Sequence, residues 1–425
     1  MRILILISVV VLSMPLYLQS TGKSSKSDSS VVEKNINNAV LLSALRPDAE
    51  FIFHDDIRPA ADQIYKYLPF IKGKRIGLVV NQTSVIGKTH LVDSLIKLGC
   101  NIQKIFAPEH GFRGTADRGE HITDGVDPTT SVKIVSLYGK NLKPGPELMQ
   151  DLDMVIYDIQ DVGVRFYTFT STMTYMMESC ARNKIPMLIL DRPNPLGYCV
   201  DGPVMEKNLK SFVGLHPVPV VHGLTTAEYA RMINGEGWLP DSLKCELYHV
   251  ECSNYDHKKF YKLPIKPSPN LPNMQSIYLY PSLCLFEGTV VSMGRGTDKQ
   301  FQVYGHPDFQ SGEYEFTPKP GEGDKSPIYS GQKCFGFDLS NKSMEELQKS
   351  SCFNLDYLIK FYHHAEPEEQ VIFFNNDNFF NKLIGNSKVK DEILNGKMGP
   401  EIRKEWTKDL DAYKKLRKKY LLYSE

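Results

Sequence analysis

The sequence lacks an excess of charge of either sign. Its 425 residues include 50 lysines and arginines and 50 aspartates and glutamates, so the formal net charge at pH 7 is zero. A neutral chain has no global field that would draw it to nucleic acid or to an anionic membrane, and we expect neither partner. With 41% hydrophobic residues the chain can bury a large core, and its length predicts two domains.

The sequence also lacks the short motifs of several common enzyme classes. It has no G-x-S-x-G, the signature of nucleophile-elbow hydrolases. No G-x-G-x-x-G follows the first predicted strand, and no compact histidine pair such as H-x-x-x-H marks a metal site. We therefore expect no cofactor and no metal, and a metal-dependent phosphoesterase or an amidase has no motif to support it.

The eight cysteines contain no C-x-x-C pair. A chain of this length does not need disulfides to be stable, and several of the cysteines lie among apolar residues, as buried thiols do. We expect structural thiols with at most one or two disulfide bridges.

The N-terminus has the pattern of a secretory signal. Arg2 supplies a positive charge, and an apolar run follows from Ile3 to Tyr17. We predict a signal peptide over residues 1–22 and a polar, serine-rich linker over residues 23–50, with no stable membrane insertion after cleavage. The mature protein is then periplasmic or extracellular; an uncleaved membrane anchor is the alternative.

From residue 75 onward, short apolar runs alternate with helical stretches. The predicted strands are RIGLVVN, NIQKIFAP, KIVSLYG, MVIYDIQD, PMLILD and KCELYHV, and helical patterns lie between them. This alternation predicts an α/β fold with a Rossmann-like, doubly wound catalytic domain over residues 51–275.

A proline-rich segment, KPSPNLPN, marks the end of this domain, because proline is excluded from helix interiors and central strands. We place the boundary near Gln275 and predict a smaller α+β domain over residues 276–425. Its last helix is predicted from about Pro400 to Tyr420.

Polar side chains follow four of the predicted strands. In open α/β sheets the ligand crevice lies beyond the carboxyl ends of the strands, so these side chains are expected to form one rim. The residues are Asn81, Gln82, Thr83, Glu109, His110, Asp158, Gln160, Asp161, Asp191, Arg192 and Asn194.

Such a rim suits glycoside hydrolysis, which needs a carboxylic acid and usually a second carboxylate. Glu109, which follows a strand and a proline, is the candidate acid. Asp158 and Asp161 rank first as its partner, with Asp191 and Glu287 as alternatives. The sequence gives no distance between the carboxylates and hence no choice between retaining and inverting chemistry.

Six longer motifs follow one another along the chain: GLVVNQTS, FAPEHGFRG, YDIQDVGVRFYTF, LDRPNPLG, PSPNLP and LFEGTVVSMGRGT. In this order they resemble the exo-β-N-acetylmuramidase family, and the resemblance runs from about residue 73 to residue 423. The resemblance implies a Rossmann-like catalytic domain, a smaller domain that closes over the cleft, and removal of N-acetylmuramic acid from non-reducing ends. One position departs from the family's pattern, because Met293 stands where an acid is expected before the glycine of GRGT.

Carried over to this chain, the resemblance implies Glu109, Asp158 and Asp161 as catalytic residues. A guanidinium that pairs with the lactyl carboxylate of muramic acid is a further expectation. The implied substrate-binding residues are Asn81, His110, Arg113, Gln160, Arg165, Asp191, Arg192, Asn194 and Arg295.

Two functions follow as hypotheses. The first is an exo-muramidase that acts on muropeptides or disaccharides derived from peptidoglycan, in cell-wall turnover or recycling. The second is a non-catalytic protein that binds muropeptides in the same cleft. Release of product from a bound disaccharide distinguishes the first from the second.

Overall fold

The computed structural model describes residues 57–109, 111–113, 124–139, 142–309, 311–350, 352–365, 370, 372–374 and 378–425. The predicted signal peptide and linker lie outside these residues, as does His110. Within the described ranges, no helix is both long enough and apolar enough to cross a membrane.

The first half of the chain forms a seven-stranded sheet within the described residues. Its strand order is β5-β6-β4-β1-β7-β8-β9, and every pair is parallel except β5 with β6. The strands are β1 Arg75–Val80, β4 Asn101–Ala107, β5 Gly125–Val126, β6 Lys133–Ser136, β7 Met154–Asp158, β8 Met187–Leu190 and β9 Leu247–Val250. A short hairpin, β2 Val85–Ile86 with β3 Thr89–His90, lies beside it.

The sheet is covered on both faces, as the continuous apolar runs predict. Alternate residues of a strand point to opposite faces. In β1, Ile76, Leu78 and Val80 enter one hydrophobic core, whereas Val79 enters the other. The prediction of a doubly wound α/β domain is therefore confirmed, with the change of winding direction between β4 and β7 on either side of β1.

The helix that begins at Thr226 has a capping box. The Thr225 hydroxyl accepts from the Glu228 backbone N–H, and the Glu228 carboxylate accepts from the Thr225 backbone N–H. The helices of this domain are α1 Ile64–Ile71, α2 Leu91–Lys97, α3 Pro146–Met149, α4 Phe169–Asn183 and α5 Thr226–Gly235.

The second half of the chain begins with α6 (Met274–Leu283), which is capped at Asn273, so the predicted boundary at Gln275 falls in its first turn. A small antiparallel sheet follows in the order β10-β12-β11. Its strands are β10 Val303–His306, β11 Tyr314–Phe316 and β12 Cys334–Asp338. Short helices follow it in the chain: α7 Met344–Lys349, α8 Asp356–His364, α9 Phe379–Ile384 and α10 Val389–Leu394.

The last helix, α11 (Gly399–Arg417), carries the chain back onto the first domain. The Tyr413 hydroxyl donates to the His222 carbonyl, and the Arg417 guanidinium donates to the Gly223 carbonyl. Beyond the helix, the Tyr423 hydroxyl donates to Asp191. The predicted C-terminal domain thus ends in a segment that packs against the catalytic domain.

All eight cysteines lie within the described residues. Cys199 and Cys352 form a disulfide that joins the two halves of the chain, and the other six are buried thiols. The prediction of structural thiols with at most one or two bridges is confirmed.

Candidate active site

Asp158, at the end of β7, forms a buried ion pair with Arg192. The Arg192 guanidinium donates to both carboxylate oxygens, with Nε to Oδ1 at 2.6 Å and Nη2 to Oδ2 at 2.9 Å. Asp158 is fully buried and Arg192 is 3% exposed. Arg192 was predicted to bind substrate and Asp158 to be catalytic. In the structure they are ion-pair partners.

Asp161 is held in the turn that follows β7. Its Oδ2 accepts from the Gly163 backbone at 2.6 Å and lies 3.4 Å from Nε2 of His222. The Leu224 backbone donates to Nδ1 of that histidine, so the ring proton lies on Nε2 and faces the carboxylate. His222 was not predicted, because its partner is distant in the sequence.

The amides of the predicted rim stabilise loops. Oδ1 of Asn81 accepts from the backbone and hydroxyl of Thr83. Gln160 donates to the carbonyls of Asp161 and Pro193. Asn194 donates to the Leu224 carbonyl and accepts from the Leu196 backbone.

Asp191, after β8, is fully buried beneath the C-terminal segment. It accepts from the Ala227 backbone at 2.9 Å and from the Tyr423 hydroxyl at 2.7 Å. Burial raises the pKa of this carboxyl to about 6, although these hydrogen bonds lower it.

Two of the predicted arginines are also engaged elsewhere. Arg165 is buried and donates to the carbonyls of Pro203, Val218 and Leu383, and burial lowers its pKa to about 10. Arg113 pairs with Asp127 at 3.1 Å. The role of His110 stays a prediction, because it lies outside the described residues.

A pocket of about 210 Å³ lies between the two domains and is lined by residues of both. Of the predicted site residues that the structure describes, Glu109 and Arg295 line it. Glu287, named as an alternative partner for Glu109, lines it too. The aromatic part of its wall consists of Tyr138, Phe166, Tyr167, Phe169, Phe212, Tyr280, Phe301 and Phe379.

Glu109 enters the pocket from the carboxyl end of β4. Its Oε2 accepts a hydrogen bond of 3.0 Å from the hydroxyl of Thr168, the residue that precedes α4. Thr168 also lines the pocket and was not singled out from the sequence, although it lies within the YDIQDVGVRFYTF motif. The first domain thus supplies a partly buried carboxyl group to the pocket.

The second domain supplies an ion pair. Nη2 of Arg295 lies 2.7 Å from Oε1 of Glu287, and the guanidinium lies 5.0 Å from the ring centre of Phe301. Burial opposes the charge on Arg295, yet the Glu287 carboxylate leaves the arginine pKa above its usual value.

The two glycines that flank Arg295 have a backbone conformation that favours glycine. Gly294 and Gly296 both have positive φ, at 78° and 76°. A Cβ at Gly296 would lie 2.7 Å from the Lys319 carbonyl oxygen, so other residues are excluded there. This explains the GRGT motif.

Two side chains that line the pocket have a buried polar atom without a hydrogen-bond partner in the described structure: Nε of Arg295 and Oδ1 of Asn270. Nδ2 of Asn270 donates to the Gly323 carbonyl at 2.8 Å, which fixes the amide orientation and makes Oδ1 an acceptor. Buried polar atoms are rarely left unpaired, so a donor and an acceptor in one pocket indicate a polar ligand.

The pocket has the components of a glycoside hydrolase site. Two carboxyl groups, one bonded to a hydroxyl and one paired with a guanidinium, line one small cavity whose wall also contains aromatic side chains. Its location between two domains of an α/β fold is a common place for ligand binding. Fold and site together define the class as a two-domain α/β glycoside hydrolase.

Comparison with known proteins defines the family. Models of the N-terminal and C-terminal parts of the exo-β-N-acetylmuramidase NamZ match residues 76–275 and 278–423. The peptidoglycan β-N-acetylmuramidase NamZ of Bacillus subtilis is 38% identical over 379 residues, which cover 84% of this chain and 89% of that protein. The chain belongs to the exo-β-N-acetylmuramidase family.

Two solved structures have the same fold. Both are DUF1343 family proteins from Bacteroides fragilis. One is 46% identical, with a TM-score of 0.80, and covers 87% of this chain and 99% of its own. The other is 26% identical, with a TM-score of 0.75, and covers 87% of this chain and 100% of its own.

Proposed function

We propose that this protein is an exported exo-β-N-acetylmuramidase that removes N-acetylmuramic acid from the non-reducing ends of peptidoglycan fragments, with Glu109 as the general acid. The observation that carries the proposal is the presence of Glu109 in a pocket with Asn270 and Arg295, each of which has one buried polar atom without a hydrogen-bond partner among the described residues. The identity of the substrate comes from family membership.

The size of the pocket favours a single sugar. Its 210 Å³ is below the range of about 300–1,000 Å³ that is usual for ligand pockets. Aromatic side chains on its wall provide the apolar surface against which a sugar ring packs. A pocket of this size accepts the terminal residue of a glycan, as an exo-acting enzyme requires.

The two unpaired polar atoms of the pocket each have a counterpart on muramic acid. Oδ1 of Asn270 accepts from the acetamido N–H group, and Nε of Arg295 donates to the lactyl carboxylate. Glu109 then protonates the glycosidic oxygen, which is the role of the acid in this reaction. Arg295 is thus the predicted arginine that suits the lactyl group.

Export is supported by two features. The N-terminal segment has the pattern of a signal peptide, and the Cys199–Cys352 disulfide suits an oxidising compartment. We place the mature protein in the periplasm or outside the cell, where it acts in the turnover or recycling of cell-wall material.

The test uses the mature chain from about Lys23, a chromogenic β-glycoside of N-acetylmuramic acid and the matching N-acetylglucosamine compound. We expect release from the muramic compound alone. Glu109→Gln should lower kcat by about 100–10,000-fold, the usual contribution of general acid catalysis. Glu147→Gln, at an exposed site, is the matched control. Saturable binding without release by the unaltered protein would favour the muropeptide-binding alternative.

A further inference from the structure

We propose that Glu287 is the second catalytic carboxylate and acts on the face of the sugar opposite the leaving group. This inference rests on the proposed function and extends it to a residue of the second domain. Asp158 and Asp161, which the sequence favoured for this role, are both engaged outside the pocket.

The engagement of the two aspartates leaves them poorly placed for the reaction. Asp158 is fully buried, with both oxygens bonded to Arg192. Asp161 is 5% exposed, and its Oδ2 is bonded to the Gly163 backbone and lies beside His222. Neither side chain lines the pocket that contains Glu109. To contact a sugar in that pocket, Asp158 would have to break its bonds to Arg192, and Asp161 its bond to the Gly163 backbone.

Glu287 has the environment that the role requires. It lies in the one-turn segment Cys284–Gly288, which follows α6 directly, and its side chain is 8% exposed. Arg295 at 2.7 Å favours the ionised carboxylate, which is the form that a base or nucleophile needs. Glu109 is bonded to the Thr168 hydroxyl instead. The two carboxyl groups of the pocket thus have different partners, a hydroxyl for Glu109 and a guanidinium for Glu287.

Glu287 is also fixed in position. Its Oε1 accepts from Arg295 and lies 3.6 Å from Sγ of Cys284. Tyr280, seven residues earlier and on α6, lines the same pocket. Because Glu109 comes from the first domain and Glu287 from the second, the catalytic pair is complete only when the two domains enclose the sugar.

The reaction balances with these two groups. Glu109 transfers its proton to the glycosidic oxygen as the bond between that oxygen and C1 breaks, and the bonding electron pair goes to the departing oxygen. A water oxygen bonds to C1 from the opposite face and gives one proton to Glu287. Glu109 ends ionised and Glu287 protonated, and exchange with solvent restores both.

The dependence of kcat/KM on the leaving group distinguishes the general acid from the general base. An acid variant such as Glu109→Gln should lose much more kcat/KM on a phenyl glycoside of N-acetylmuramic acid than on the para-nitrophenyl glycoside, because a good leaving group needs little protonation. Glu287→Gln should lose about 100–10,000-fold on both substrates. A glutamine at 287 keeps an acceptor for Arg295, so folding should be preserved, and the melting temperature checks it.

Rescue by azide tests whether the Glu287 carboxylate lies beside C1 of the sugar. In Glu287→Ala, azide should enter the vacated space, bond to C1 and restore turnover with the α-glycosyl azide as product. Azide should not stimulate Glu109→Gln on the phenyl compound, because it cannot protonate the leaving oxygen. Glu345→Ala, at a site 75% exposed, is the matched control and should behave like the unaltered protein.

Three results would overturn the inference while leaving the proposed function intact. The first is near-normal turnover by folded Glu287→Gln. The second is a loss confined to the phenyl glycoside, which would make Glu287 the acid. The third is a folded Glu287→Ala variant that azide does not rescue, which would leave Glu287 as the partner of Arg295 alone. Failure of the unaltered protein to cleave either muramic compound would instead contradict the proposed function.

Discussion

At the scale of residues, side chains of one chemical type have different roles in this protein. Asp158 and Glu109 both follow strands of the sheet, yet Asp158 is enclosed by an arginine and Glu109 faces the pocket. The difference lies in the groups that surround each carboxyl. Arg192 follows the neighbouring strand β8 and covers the end of β7, whereas the second domain lies across a cavity from Glu109.

The Asp158–Arg192 pair yields a prediction about stability. Asp158→Ala leaves a buried guanidinium without its anion and should lower the free energy of unfolding by about 3–5 kcal/mol. Asp153→Ala is the control, because its pair with Arg75 has side chains that are 41% and 46% exposed, and an exposed ion pair contributes little to stability. Urea unfolding measures both.

The activity of the folded fraction of Asp158→Ala tests whether Asp158 is catalytic. Asp158 lies outside the pocket, so the folded fraction of Asp158→Ala should still cleave the muramic glycoside. A variant with unchanged stability and no turnover would return Asp158 to the catalytic role that the sequence suggested.

Of the site residues that the sequence predicted and the structure describes, Glu109 and Arg295 line the pocket, and the others lie outside its lining. The strand-end rule identified Glu109, because that rule depends on local pattern alone. It could not separate Glu109 from Asp158, since the partner that occupies Asp158 is 34 residues away in the chain. Asn270 lies within a quoted motif, but its unpaired oxygen becomes visible only with the fold.

At the scale of elements, the strands and helices of the first domain were predictable because each has a strong periodic pattern. β7 is buried along its whole length and was recognised as a continuous apolar run. The return of the chain onto the first domain was not predicted. The apolar stripe of α11 shows that the helix packs against something, but not which domain provides the surface.

The C-terminal segment makes stability depend on pH through Asp191. Its pKa is raised from 3.8 to about 6 in the folded protein, so folding favours the protonated form. The resulting stabilisation is complete below about pH 4 and is lost as the pH rises to about 6, a change of about 3 kcal/mol. Asp191→Asn removes this titration while keeping a polar group beside Tyr423.

Unfolding of the two forms between pH 4 and 7 measures this effect. The stability of the unaltered protein relative to Asp191→Asn should fall by about 3 kcal/mol as the pH rises across that interval. A constant difference would show that Asp191 titrates alike in the folded and unfolded chains. A difference that grows with pH would mean that its pKa is lowered by folding.

At the scale of the whole molecule, several connections among the described residues hold the two domains around the pocket. The chain crosses between them at the proline-rich segment, α11 returns to the first domain, and the Cys199–Cys352 disulfide joins them covalently. Arg165 adds a further contact, because it donates to the carbonyl of Leu383 on α9, a residue that also lines the pocket. The pocket depends on this assembly.

The disulfide closes a loop with a sequence separation of 153 residues. A bridge over a long loop restricts the unfolded chain strongly, so Cys199→Ser with Cys352→Ser should lower the free energy of unfolding by about 2–5 kcal/mol. Dithiothreitol should destabilise the unaltered protein by a similar amount and leave the double variant unchanged. Destabilisation of both forms by the reductant would point to a second bridge.

We expect the terminal muramic acid to bind in the pocket that contains Glu109, Glu287 and Arg295. The most direct measurement is a crystal structure of Glu109→Gln with a disaccharide that has N-acetylmuramic acid at its non-reducing end. We expect the muramic ring in this pocket, its glycosidic oxygen about 2.6–3.2 Å from the side chain at position 109, and its lactyl carboxylate at Arg295. A disaccharide bound elsewhere, or one with its lactyl group turned away from Arg295, would contradict the account.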